Sequence, residues 1–105
     1  MKKDENKSDV KVIEHTLVCL SASPSNAKII KTAAKMAFAF GGSFTALYVK
    51  TPDSDKMDEA SKRRLQYHIR LAEQLGADIT TSYGEDVSFQ IAEFARISGV
   101  TKIVI

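Results

Sequence analysis

The hydrophobic pattern of this chain switches period several times, and each switch marks an element. Leu17-Val18-Cys19-Leu20 is a continuous apolar run, which suits a strand covered on both faces. Beyond it Ile29, Ile30, Ala33, Ala34, Ala37 and Phe40 form a broad apolar stripe, with Lys28, Lys31 and Lys35 opposite. The pattern predicts a strand over 16–21 and a helix over 24–40, with Ser23-Pro24 at its start and Gly41-Gly42 at its end. A second strand is expected over 43–49, rich in aromatic and apolar side chains. Residues 51–55 form a loop in which Pro52 forbids simple extension of that strand. Leu65, Ile69, Ala72 and Leu75 predict a second helix over 57–75, stopped by Gly76. Residues 77–82 read as a shorter, more polar strand suited to a sheet edge. Tyr83-Gly84-Glu85-Asp86 then turns into a third helix with Val87, Ile91, Phe94 and Ala95 inward and Gly99 as terminator, and a fourth strand opens at 101–105.

Strands and helices that alternate in this way predict an α/β fold, a parallel doubly wound sheet with helices on both faces. Residues 1–9 lack apolar periodicity and read as a flexible lead-in; residues 10–105 form the domain. The last residues lie inside an apolar strand, so the reading expects the domain to be truncated after its fourth strand.

Composition narrows the function classes. With 105 residues, 44% hydrophobic and 27% charged, the chain is an ordinary globular domain. A formal charge of +2, without basic residues interleaved with aromatics, gives no nucleic-acid footprint. The dense basic cluster Lys62-Arg63-Arg64 reads as a solvated helix face. No segment reaches the ~18 apolar residues of a spanning helix, and no membrane contact by this domain is expected. The single cysteine, Cys19, lies within an apolar strand, where a thiol acts as a small hydrophobe and fits a reducing, cytoplasmic setting.

No nucleophile–base pair, carboxylate pair or metal cluster stands out, so no enzymatic activity and no cofactor are expected of this domain. His15 and His68 have no partners at ligand spacing, and Glu85-Asp86 suits a turn and helix start. What remains is one edge of the sheet. Ser21-Ala22-Ser23 follows the first strand and Phe44-Thr45-Ala46-Leu47-Tyr48 lies in the second, where open α/β sheets take ligands. The serines offer hydroxyls beside a helix start, Ala46 permits close approach to the backbone, and Tyr48 offers a stacking face. Each has a plainer role as well: Ser23 suits a helix cap, either Phe44 or Thr45 must face the core, and Tyr48 suits half-buried packing.

Over residues 15–105 the chain resembles a universal stress protein domain, in the version embedded in the cytoplasmic part of KdpD-type potassium-sensor histidine kinases. The resemblance is carried by residues 17–25, 42–49, 71–77 and 100–105. It implies an adenine-nucleotide-binding α/β fold. Ser21 stands where ATP-binding members carry an aspartate, and their glycine-rich phosphate loop would lie beyond Ile105. Ser21, Ser23, Phe44, Thr45, Ala46 and Tyr48 match instead the signature of a subset that resembles a cyclic di-AMP receptor, with residues 24–43 filling its fixed gap. That resemblance implies Ser21, Ala22, Ser23, Phe44, Thr45, Ala46 and Tyr48 as ligand-binding residues. It also implies cyclic di-AMP and other segments of the parent kinase as partners. Bound messenger would then lower kinase signalling and potassium uptake. The alternatives are a nucleotide-free docking or dimerisation module, or an ATP-binding domain whose phosphate loop lies beyond Ile105.

Overall fold

In the computed structural model, which describes residues 12–105, four parallel strands form one sheet in the order β3-β2-β1-β4. The strands are β1 (His15–Cys19), β2 (Ser43–Lys50), β3 (Asp78–Tyr83) and β4 (Lys102–Val104), joined by helices α1 (Asn26–Phe40), α2 (Glu59–Gln74) and α3 (Val87–Ser98). The path from β1 through β2 to β3 steps always toward the same edge. Right-handed crossovers therefore stack α1 and α2 on one face of the sheet. The step from β3 to β4 returns past β2 and β1 to the far edge, so the same handedness places α3 on the opposite face. The doubly wound fold is thus as the pattern predicts, with β3 at an edge.

Alternation along the strands divides the core between the two faces. Val18, Leu20, Phe44 and Ala46 pack with Ile30, Ala33, Ala37, Leu65 and Ala72 beneath α1 and α2. Leu17, Leu47 and Val49 pack against Ile91, Phe94 and Val100 on the side of α3. Burying each large aliphatic side chain here stabilises the fold by about 1.5–3 kcal/mol. One polar group is stranded in this interior: the Thr16 hydroxyl is fully buried and has no hydrogen-bond partner among the described residues.

Several boundaries differ from the sequence pattern. The first strand ends at Cys19, although Leu20 N–H still donates to the Leu47 carbonyl at 2.8 Å. Helix α1 begins at Asn26, not Pro24, because residues 23–25 form a serine-rich turn in which Ser23 Oγ lies 3.0 Å from Ser25 Oγ. The loop after β2 is a 3-10 helix, Pro52–Lys56, and α2 starts only at Glu59. There Asp58 caps the helix by accepting the Ser61 N–H at 2.8 Å. Between α1 and β2 the chain turns through Gly42 at φ +83°, where a Cβ would collide with the Glu14 carbonyl, so a glycine is required.

Candidate functional site

A crevice opens at the carboxyl edge of β1 and β2, beside the point where strand order reverses between β1 and β4. Open α/β sheets present their crevice here, because the connections on either side diverge to opposite faces. The crevice is a cleft of about 300 Å³. Leu20, Ser21 and Ala22 form one side, Tyr48, Ser54 and Met57 the other, and Leu47, Val49, Val87 and Ile91 close it from the side of α3.

The loop that follows β1 is held from two helices. Asn26, only 3% exposed, accepts the Ser21 N–H on Oδ1 at 3.1 Å and donates from Nδ2 to the Cys19 carbonyl at 3.0 Å. From α2, His68 donates its Nδ1–H to the Ser21 carbonyl at 2.7 Å, and Arg64 Nη1 donates to the Ala22 carbonyl at 2.8 Å. A carbonyl can only accept, so His68 must carry its proton on Nδ1. With His68 at 2% exposure, this bond sits where water competes poorly. Arg64 is therefore not part of a solvated face, as its basic cluster suggests; it reaches back to the loop.

Across the cleft, Tyr48 donates its hydroxyl to Ser54 Oγ at 3.1 Å, and the same oxygen accepts the Thr51 N–H at 3.0 Å. The 3-10 turn thus fixes the tyrosine ring as a wall. Cys19 also lines the cleft, and burial pushes its thiol up to about 11, so it is neutral near pH 7 and a poor nucleophile.

Of the seven residues expected from sequence, Ser21, Ala22 and Tyr48 line this cleft together. The other four do not. Phe44 and Ala46 share the face of Tyr48 but lie deeper, packed in the core at 8% and 0% exposure. Thr45 points to the other face by strand alternation. There it is buried with its Oγ1 2.8 Å from His15 Nε2, while His15 Nδ1 donates to the Ser98 carbonyl at 3.0 Å. Ser23 is exposed and turned toward Ser25. Phe44 and Ala46 floor the face that carries Tyr48, and Thr45 joins β2 to His15 and the end of α3.

Asn26, His68 and Arg64 were not expected from the sequence, yet a signal was present for the first two. Asn26 stands in register with the apolar stripe Ile30, Ala33, Ala37, and His68 lies between Leu65 and Ala72 on the stripe of α2. A polar side chain on a buried stripe needs a partner inside the molecule.

A universal stress protein in complex with cAMP superposes with a TM-score of 0.64 at 17% identity, covering 90% of this chain and 77% of that one. A universal stress protein family member from Burkholderia pseudomallei gives a TM-score of 0.64 at 20% identity, covering 90% and 81%. The fold is that of the universal stress proteins. Among curated sequences, the sensor protein KdpD of Clostridium acetobutylicum is 41% identical over 92 residues, which is 88% of this chain and 10% of that protein. The chain thus spans about a tenth of the length of this relative. No protein-family model matches it. The universal stress protein-like domain described here accordingly resembles a segment of KdpD sensor proteins, and among its described residues no helix is long and apolar enough to cross a membrane.

Proposed function

We propose that this domain is a sensory module that binds an adenine nucleotide, cyclic di-AMP, in the cleft at the ends of β1 and β2. Occupancy would restrain the parent sensor kinase. The observation that carries the reading is the meeting of Ser21, Ala22 and Tyr48 around one cleft of about 300 Å³, the lower end of small-ligand sites. Its walls are apolar on the side of Leu47, Val49 and Ile91, which suits the faces of a purine. The Ser21 hydroxyl suits its edge and phosphates. The likeness to KdpD and to a universal stress protein in complex with cAMP supports the same class of ligand.

The domain itself is read as binding without chemistry. Cys19 is neutral, and among the described residues no base addresses the serine hydroxyls at the loop, where Ser21 Oγ accepts from the Ser23 N–H at 3.2 Å. Calorimetric titration of the chain with cyclic di-AMP, ATP and AMP in parallel tests the reading. Stacking on one aromatic contributes about 1–3 kcal/mol, so Tyr48→Ala is expected to weaken cyclic di-AMP by roughly 5- to 150-fold. Absence of heat with every nucleotide, or unchanged affinity in Tyr48→Ala, would refute it. Preference for ATP over cyclic di-AMP would keep the cleft and discard the messenger.

A further inference from the structure

A second cleft, of about 510 Å³, lies on the other side of the wall formed by Tyr48, Ser54 and Met57, and all three residues line both spaces. We propose that this outer cleft is a second base-binding subsite, so that a ligand with two purines joined by a phosphate-bearing ring straddles Tyr48. The inference rests on the nucleotide reading above and adds to it where the second base goes.

Strand register builds the outer cleft. Tyr48 pairs with Thr81 and Lys50 with Tyr83 in the parallel ladder, so these four side chains stand side by side on the face toward α2. The helix supplies Leu65 and Ile69 as apolar cover and Gln66 as an amide that can both donate and accept. A purine needs those three things: apolar contact for its faces, a mixed donor–acceptor group for its edge, and an arene to stack on. The Thr81 hydroxyl adds a second polar contact, and Tyr83, 71% exposed, a second arene at the mouth.

Charge at the rim fits the connecting ring of such a ligand. Lys50 and Lys62 both line the outer cleft, and a lysine ammonium suits phosphate oxygens. Asp55 is the acidic group in this lining; it repels a phosphate at its own corner and can accept a hydrogen bond from an exocyclic amine. Among the described residues the inner cleft has no lysine or arginine in its lining, so a phosphate held between two bases finds its cations on the outer side. The Tyr48 hydroxyl bond to Ser54 holds the partition in place, so its ring can meet one base on each side.

The test is a calorimetric titration of the chain and of two variants at exposed positions of α2 whose new side chains fill the outer cleft, Gln66→Trp and Lys62→Trp. Cyclic di-AMP and AMP are the probes, and thermal melting confirms that each variant is folded. Wild type is expected to bind cyclic di-AMP at one per chain. The folded variants are expected to lose at least tenfold in that affinity, while their tightest AMP site stays within twofold of wild type. Cyclic di-AMP affinity within twofold of wild type in both folded variants would overturn the second subsite and leave the inner cleft standing. No binding of either nucleotide by wild type would overturn the nucleotide reading itself, and this inference with it.

Discussion

Replacing Asn26 with alanine tests how the loop after β1 is held. Two hydrogen bonds disappear, one from the Ser21 N–H at 3.1 Å and one to the Cys19 carbonyl at 3.0 Å. Leaving a buried backbone group unpaired costs about 1–3 kcal/mol, and both bonds are only partly buried, so roughly 1–2 kcal/mol apiece is the appropriate end of that range. The sum, about 2–4 kcal/mol, is large beside the roughly 5–15 kcal/mol that holds a domain of this size together. With a urea dependence of about 1.5 kcal/mol per molar, the unfolding midpoint is expected to fall by roughly 1.3–2.7 M. Asn26→Asp gives the sharper comparison. Its carboxylate can still accept the Ser21 N–H but now faces the Cys19 carbonyl, an acceptor. Burial and that repulsion raise the folded pKa of the new carboxyl above its unfolded value of about 3.9. A raised folded pKa means that the group's contribution is fully present below the unfolded pKa and is lost as pH rises through the folded one. Asn26→Asp is therefore expected to be nearer wild type at pH 4 than at pH 7. Urea melts followed by circular dichroism at both pH values supply the measurement. A midpoint for Asn26→Ala within about 0.3 M of wild type, or Asn26→Asp as stable as wild type at pH 7, would refute the assigned role.

Two further outcomes follow from single groups. Thr16→Val removes a hydroxyl that is fully buried and unpaired among the described residues while keeping the branched shape that a strand favours; it should stabilise by about 1 kcal/mol and raise the melting temperature by about 4–8 °C. A lower melting temperature would show that the hydroxyl has a partner. Glu14 is held below the usual carboxylate range by hydrogen bonds from Lys102 Nζ at 2.8 Å and Thr101 Oγ1 at 2.7 Å, which join β4 to the entry of β1. A depressed folded pKa contributes stability above the unfolded value, near 4.3, that is lost as pH falls through the folded pKa. Glu14→Gln should accordingly show a shallower loss of urea stability between pH 5 and 3 than wild type, and parallel curves would exclude the contribution.

The amino-acid pattern alone determined the order of elements, their parallel arrangement and the edge that holds the cleft. Those features follow from period and handedness: a continuous apolar run needs cover on both faces, and a right-handed crossover leaves few ways to supply it. The same pattern pointed to Ser21, Ala22 and Tyr48, because strand ends are set by local signals such as Pro24 and Pro52. Only the folded chain decided which neighbours of those residues face the cleft. Thr45 and Tyr48 lie three apart in one strand, so the pleat sends them to opposite sides, and the side that each takes depends on where α1 and α3 pack. The clamp from Asn26, His68 and Arg64 arises the same way. Arg64 and His68 reach carbonyls 42 and 47 residues earlier, a proximity that exists only once α2 has docked on the sheet. Period shows which stripe of a helix is buried; the partner for a polar group on that stripe is chosen by tertiary packing.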